Sequence, residues 1–308
     1  MLRQIPKLRF VLTAILSIVL LAGCGAAGGN GGGGGGSATP NEGNTQGGAG
    51  TEQPPSEEPK TELSGTVTAS GSTALLPLVN LAAEEFMDLH QQVTINVTGG
   101  GSGTGVKNVA DGTSDIGNSD VPAADEFKDQ LVEHIVAIAP FALIVNKDVQ
   151  VDDLTQEQAI AIFAGEITNW SEVGGQDQPI VLIHRQDSSG SRKIIQELVM
   201  NGRDFSNEGI TQESSQTVAQ AVASTAGAIG YVDTPYLNDN IKALKLDGVG
   251  FSKETIQDGT YKIYGLERMY TKGEPTGVVK EFLDFIMSDE FQNEKVEELG
   301  FLPANLLK

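Results

Sequence analysis

Ile180-Val181-Leu182-Ile183-His184-Arg185-Gln186-Asp187-Ser188-Ser189-Gly190-Ser191-Arg192 changes character twice within a short span. The apolar run Ile180–His184 predicts a strand, a turn rich in hydroxyls follows, and Ser191–Met200 carries its apolar residues at helical spacing. The same strand–loop–helix order occurs twice upstream. Thr66–Ser70 leads through Ser70-Gly71-Ser72-Thr73 into a helix over Ala74–Leu89. Val93–Val97 leads through Gly99-Gly100-Gly101-Ser102-Gly103-Thr104-Gly105 into a helix over Val106–Asp111. Strands that alternate with amphipathic helices predict an α/β fold with mostly parallel sheets.

The rest of the chain extends this pattern. A short strand is expected at Asp115–Gly117, and the nearly continuous apolar run Ile135–Asn146 suits a buried strand that crosses between lobes. Thr155–Ala164 and Gln216–Ser224 read as helices, with Ala228–Val232 the strand after the second. A strand over Lys262–Tyr270 and helices over Thr276–Met287 and Asp289–Leu299 finish the chain. Phe282, Phe285, Ile286 and Phe291 are spaced as the buried face of those helices, Trp170 as a packing residue, and Glu294–Glu298 as a solvated face.

The N-terminal region has a different composition. Arg3, Lys7 and Arg9 precede an apolar run from Phe10 to Ala22, the pattern of a secretory signal and too short for a membrane span of about 20 residues. The single Cys of the 308-residue chain stands in Leu21-Ala22-Gly23-Cys24, which resembles the lipobox of bacterial lipoproteins. That resemblance implies cleavage before Cys24 and acylation of it. From Gly25 the chain is rich in Gly, Asn, Thr, Gln, Pro and Glu, including the run Gly31–Gly36, and is expected to form a disordered tether. With 20 Lys plus Arg against 41 Asp plus Glu, the net charge is -21, which argues against nucleic acid as a partner. One Cys also excludes an internal disulfide and a multi-Cys zinc site.

The three loops share a chemistry. Glycines let the backbone approach a ligand, and each following helix opens with unpaired N–H donors at its positive end. Ser and Thr hydroxyls add neutral donors. None of the three loops carries a Gly-Lys-Ser/Thr or a complete G-x-G-x-x-G, so the ligand is expected to be a small anion rather than a nucleotide. Arg185 offers a guanidinium that fits two oxygens of a tetrahedral oxyanion, with Asp187 placed to hold it. Asp120, in Asp115-Ile116-Gly117-Asn118-Ser119-Asp120, makes sense beside an anion only if the anion carries a proton, because an ionised carboxylate only accepts. Phosphate near neutral pH has such a proton and sulfate has none. The local alternative is that Asp120 caps a helix starting after Pro122.

Ser70-Gly71-Ser72-Thr73, Gly101-Ser102-Gly103-Thr104-Gly105-Val106-Lys107, Asp115–Asp120, Arg185–Ser191 and Ala226-Gly227-Ala228-Ile229-Gly230-Tyr231-Val232, in that order and spacing, resemble the phosphate-binding proteins of bacterial phosphate ABC transporters, the PstS family. The likeness covers Gly65–Lys308. It implies a two-lobed periplasmic-binding-protein type II fold, with mostly parallel sheets in each lobe and two crossing hinge strands. The corresponding layout is a signal peptide over 1–23, lipidated Cys24 and tether over 24–64, lobe 1 from 65–145 and 230–308, and lobe 2 from 146–229. Carried over by position, Thr73, Ser102, Ser189, Gly190 and Ser191 donate to phosphate, Arg185 pairs with its oxygens and Asp120 accepts its proton. Ser72 adjoins the motif as a further donor, while Ser188 stands where the family commonly has Gly and its contribution is left open. The implied partners are inorganic phosphate, membrane permease subunits and, through the lipid anchor on the extracellular face of the cell membrane, the bilayer. A monomer without cofactor or metal is expected.

Three other readings remain. Sulfate or molybdate can replace phosphate as the ligand, and an adhesive surface lipoprotein would bind no anion. A surface phosphate-ester hydrolase would use Ser102 or Ser189 with His184 as base. Against the hydrolase, no G-x-S-x-G is present, and His184 neighbours Arg185 on a strand whose successive residues face opposite sides. His90 and His134 have no metal-ligand spacing.

Overall fold

The computed structural model describes residues 62–307; the expected signal peptide, Cys24 and the tether up to residue 61 lie outside them. The chain runs β1 (Ser64–Gly71), α1 (Leu76–Leu89), β2 (Gln92–Gly99), α2 (Ser102–Asp111), β3 (Ile116–Ser119) and β4 (Leu131–Asn146). It continues with β5 (Asp153–Leu154), α3 (Gln156–Phe163), β6 (Val181–Arg185), α4 (Gly190–Leu198), β7 (Ile210–Gln212), α5 (Ser215–Ser224) and β8 (Ala228–Asp233). Then follow β9 (Ile241–Ala243), β10 (Lys245–Leu246), α6 (Lys253–Gln257), β11 (Tyr264–Lys272), α7 (Gly277–Ile286), α8 (Asp289–Glu294) and β12 (Leu302–Pro303).

The strand order is β2-β1-β3-β11-β4-β8-β6-β7, a mixed sheet. Pairing is parallel at its two ends, among β1, β2 and β3 and among β6, β7 and β8. It is antiparallel wherever the long strands β4 and β11 take part. β4 holds the two ends together. Its first part pairs with β11 up to Tyr264↔Pro140, and from Phe141 onward it pairs with β8. Val136–Val145 are buried without interruption, which is why this stretch reads as an apolar run and not as an alternating strand. Pro140 has no N–H to give and sits where β4 changes partner. After β8 the chain visits the far end again: β9 pairs with Ile144–Asn146 and β10 with β5.

The register sets the edge on which ligands can meet. β1 and β2 align from Ser64↔Gln92 to Gly71↔Gly99, and β3 joins with Gly71↔Asn118. The loops after all three strands therefore leave the sheet at one edge, where open α/β sheets bind ligands. Two packing groups named from the sequence are buried as expected. Trp170 is fully buried and its indole N–H donates to the Gly227 carbonyl at 2.9 Å. Phe86 packs edge-on against Phe282 and Phe285.

The start of α2 bears on the site. α2 opens at Ser102, not Val106, so Ser102-Gly103-Thr104-Gly105 is its first turn and not part of a loop. The glycine content there serves close packing. A Cβ on Gly105 would stand 2.6 Å from the Asn118 and Ser70 carbonyls and 2.7 Å from the Gly71 Cα, all of them backbone. Backbone cannot swing aside, so the helix must move off β1 and β3. Gly105→Ala is therefore expected to destabilise the protein by about 1–3 kcal/mol, the range for overpacking, in a urea titration followed by circular dichroism. An unchanged urea midpoint would show that α2 is not held as tightly as these distances require.

Candidate functional site: a buried guanidinium facing a buried carboxylate

Arg185 ends β6 with its side chain inside the protein at 2% exposure. Its Nη1 donates to the hydroxyls of Ser191 at 3.4 Å and Ser215 at 3.2 Å, and its Nη2 to Thr73 Oγ1 at 3.0 Å and the Glu213 carbonyl at 3.2 Å. Every one of these acceptors is neutral, and Nε has no partner. Burial lowers the Arg185 pKa from its ordinary value, and the nearby Asp120 raises it back in part. A guanidinium stays charged in proteins, so a full positive charge sits here without a contacting counter-ion.

Asp120 lies in the turn after β3, 3% exposed. Ser72 Oγ donates to its Oδ1, and Ser191 Oγ donates to Oδ2 at 3.3 Å. Burial pushes its carboxyl up from the usual range, while the Ser72 hydroxyl, the Arg185 charge, Glu267 and Ser191 pull it back. No helix follows Pro122, only a single 3₁₀ turn at Lys128–Gln130, so the capping alternative for Asp120 fails.

The other residues expected at the site converge here. The Ser72 hydroxyl accepts from the N–H groups of Ala74 and Leu75 at 3.0 and 3.2 Å, tying the entry of α1 to Asp120. Ser102 Oγ accepts from the Asp120 N–H at 3.0 Å. Ser189 caps α4 by accepting from the Arg192 N–H at 3.2 Å. Gly190 is pressed between Ser102 and Asp120: a Cβ there would collide with Ser102 Oγ and stand 2.7 Å from Asp120 Oδ2. Thr73 Oγ1 accepts from both Arg185 and the Ser215 N–H, the latter at 3.2 Å. All eight residues named from the sequence thus share one buried cluster at the ends of β1, β3 and β6.

One neighbour behaves differently from expectation. Asp187 does not hold Arg185; it is fully exposed and faces Arg192 Nε at 3.4 Å. The chain turns after Arg185, which carries the next acidic side chain out to water. Ser188, left open above, ties the turn before α4 to the start of α2. Its carbonyl accepts from the Gly103 N–H at 3.0 Å and its hydroxyl donates to the Gly100 carbonyl at 3.4 Å. His184 points away from the cluster, with Nε2 against the Glu208 carbonyl at 2.9 Å and its ring beside Phe163 and Phe205. Burial and then Arg192 press its pKa down to about 4, so it carries no charge near neutrality.

Four further residues belong to the cluster and escaped the sequence reading. Ser215 opens α5 after the cap Ser214, another hydroxyl pair between a strand and a helix, but without the glycine that marks the other loops. Tyr236 donates through its hydroxyl to the Thr73 carbonyl at 2.5 Å. Asp233 and Glu267 are wholly buried, and none of their carboxyl oxygens has a hydrogen-bond partner. Burial, with Asp120 adding repulsion, raises both carboxyls well above the ordinary range.

For Asp233 the direction of the shift fixes a pH dependence. Its folded pKa lies above the unfolded value of about 3.9, so the folded protein binds more protons and its stability declines as pH rises above that unfolded value. Asp233→Asn removes this contribution. The variant is expected to gain stability relative to the parent as pH climbs from 5 to 8, measured as paired urea midpoints. A parallel fall in both proteins would mean that Asp233 is ionised in the fold.

Comparison with known proteins places this geometry in a family. Residues 56–290 match the PBP superfamily domain. The phosphate-binding protein PstS of Bacillus subtilis (strain 168) is 43% identical over 251 residues, which cover 80% of this chain and 83% of that protein. PstS of Borreliella burgdorferi is 27% identical over 249 residues, 77% of this chain and 89% of that protein. Among solved structures, a phosphate ABC transporter substrate-binding protein with bound phosphate from Clostridium perfringens matches with a TM-score of 0.74 at 34% identity, covering 78% of this chain and 99% of that one. An ABC-type phosphate transport receptor from Vibrio cholerae matches with a TM-score of 0.64 at 26% identity, covering 77% and 99%. The two-lobed type II arrangement accounts for the halves that β4 joins, and the chain belongs to the PBP superfamily and, within it, to the PstS family of phosphate-binding proteins.

Proposed function

We propose that this protein captures inorganic phosphate and delivers it to the permease of a phosphate ABC transporter. The observation that carries the reading is the pairing of opposite demands in one buried cluster. Arg185 is a cation whose hydrogen-bond contacts are all neutral, and Asp120 is an acceptor joined to it through the Ser191 hydroxyl. An anion that also has an O–H to donate satisfies both. Phosphate does so at neutral pH; sulfate and molybdate carry no proton there, so either would set lone pairs against the Asp120 carboxylate.

The residue roles follow from this reading. Arg185 takes two oxygens in a fork. Thr73, Ser102, Ser189, Gly190 and Ser191 donate from the starts of α1, α2 and α4, with Ser72 positioning Asp120 as well as the helix entry. Asp120 accepts the proton. Residues 65–145 and 230–308 form one lobe and 146–229 the other, with Ile241–Leu246 returning to the second lobe's side. Contacts such as Gly103–Ser188 and Thr73–Arg185 cross between the lobes, so a bound ion stabilises the closed form that a permease recognises. The reading needs no covalent step, cofactor or metal, and the protein acts as a monomer. His184 faces away from the hydroxyls, which disfavours the hydrolase alternative.

No described helix is long and apolar enough to cross a membrane. The reading places Cys24 as the lipid anchor on the extracellular face of the cell membrane, where acyl chains contribute about 0.8 kcal/mol per buried CH₂.

Calorimetric titration tests the binding. The wild-type protein is expected to bind phosphate in preference to sulfate. Asp120→Asn, which can donate to sulfate, is expected to narrow that preference by at least about tenfold, the worth of one hydrogen bond to a charged group. Arg185→Ala is expected to weaken both anions by at least about a hundredfold. Equal wild-type affinity for phosphate and sulfate would contradict the role of Asp120, and no saturable heat with either would leave the adhesive alternative standing.

A further inference from the structure

The binding reading uses Asp120 and Arg185 and leaves two carboxyls unexplained. Glu267 lies in β11 at a break in the β4 register, where the pairing shifts between Glu267 and Arg268. Its strand runs beside the Asp120 turn: Arg268 pairs with Ser119, Arg268 Nη1 donates to the Asp120 carbonyl at 3.3 Å, and Gly265 packs against that same carbonyl. Asp233 closes β8, opposite Phe141. Both side chains are fully buried and lack partners.

The charges that face this space are few and can be counted. Asp120, Asp233 and Glu267 are the acids, Arg185 is the cation, and Tyr236 is a neutral phenol whose pKa burial and Asp233 push up. Arg268 also faces Glu267, but its Nε is committed to Glu133 at 2.7 Å. Three carboxylates against one guanidinium would leave excess negative charge in a buried space that, on the binding reading, also receives an anion. A bound cation is not the remedy, since no group of His, Cys, Asp or Glu among the described residues is placed to hold a metal ion. Protons must supply the balance. They belong on the carboxyls without donors, Glu267 and Asp233, and not on Asp120, which two hydroxyls already serve as an acceptor.

A protonated Glu267 needs an acceptor for its own O–H, and the Asp120 turn is what its strand packs against. We propose that Glu267 is a positioning residue of the anion site, its carboxyl O–H donating to the Asp120 carboxylate so that Asp120 meets the ligand ionised and correctly turned. This rests on the phosphate reading and deepens it. Asp120 can select a protonated oxyanion only while it remains an acceptor, and a neighbouring acid that keeps its proton secures that state. The arrangement also sets an upper pH limit. Once Glu267 ionises, its charge lies against Asp120, the ligand proton loses its acceptor geometry, and affinity falls.

The test uses the full chain and phosphate titrations from pH 5 to 9, with sulfate as the second ligand. Glu267→Leu removes the donor and is expected to weaken phosphate at pH 7 by about tenfold or more, the worth of a hydrogen bond to a charged group, and to narrow the phosphate-over-sulfate ratio. Glu267→Gln keeps an N–H donor and cannot ionise. It is expected to recover most of the affinity that the Leu variant loses and to abolish the alkaline decline. The infrared band of a protonated carboxylic acid at pH 7 should weaken in Glu267→Gln, a readout that does not depend on the Leu variant folding. Identical pH profiles for wild type and Glu267→Gln, or an infrared spectrum unchanged by that substitution, overturn the proposal while leaving phosphate binding intact. A wild-type protein that binds no phosphate overturns the binding reading and this one with it.

Discussion

A guanidinium held at 2% exposure by neutral oxygens alone is the constraint on which the rest of this molecule depends. Burying a charge without a contacting counter-ion costs several kcal/mol, and the surrounding structure has to supply that. Here the supply comes from four separate segments. Thr73 belongs to the start of α1, Ser191 to α4, Glu213 and Ser215 to the junction of β7 and α5, and the Tyr231 hydroxyl accepts the Arg185 backbone N–H from β8 at 3.2 Å. Most of these segments join a strand to a helix. Parallel pairing brings such junctions to one edge of a sheet, and the antiparallel strand β4 ties the two edges into one body.

The hydroxyls in the cluster are already engaged with one another, which gives the site its rigidity. Ser72 accepts two backbone N–H groups and donates to Asp120; Ser102 accepts the Asp120 N–H; Ser191 lies between Asp120 and Arg185. Each of these three hydroxyls thus has its orientation set by a second group before any ligand is considered, the condition for binding without a large ordering cost. Gly190 completes the contact from the opposite side, because only a residue without a Cβ can lie against Ser102 and Asp120 together. Selectivity in such a site comes from which atoms carry protons more than from how much charge is present.

What could be read in the sequence and what could not divides along a physical line. The strand–loop–helix junctions were legible because glycine, hydroxyl residues and apolar periodicity are local signals, and together with the family resemblance they led to eight residues of the cluster. β4 was legible as an apolar run, though its first residues, Leu131–His134, are at most half-buried and escaped notice. The failures are of two kinds. Asp187 was matched to Arg185 by proximity in sequence, whereas the turn sends it to solvent. Asp233 and Glu267 were missed for the opposite reason: they enter from β8 and β11, distant in sequence from Asp120, and a single acidic residue in a strand has no local mark that says it is buried. Start positions also misled at Ser102, since glycines that permit close helix packing look the same on paper as glycines that loosen a loop.

The acidic balance of the chain, -21 overall, has a different meaning at the site than at the surface. Exposed charges are screened beyond about 8–10 Å in ordinary salt, so the surface neither attracts nor strongly repels an ion already inside the cleft. Within the cleft the low polarisability of the surroundings makes each proton decisive. Three buried carboxyls around one guanidinium can coexist with an anionic ligand only if most of them are neutral, and a ligand that brings its own proton fits the single carboxyl that is not. A fully deprotonated oxyanion would need a site with more cations and fewer acids. On the proposed phosphate reading, the excess of buried acid near Arg185, which at first sight opposes anion binding, is what would restrict binding to anions able to donate.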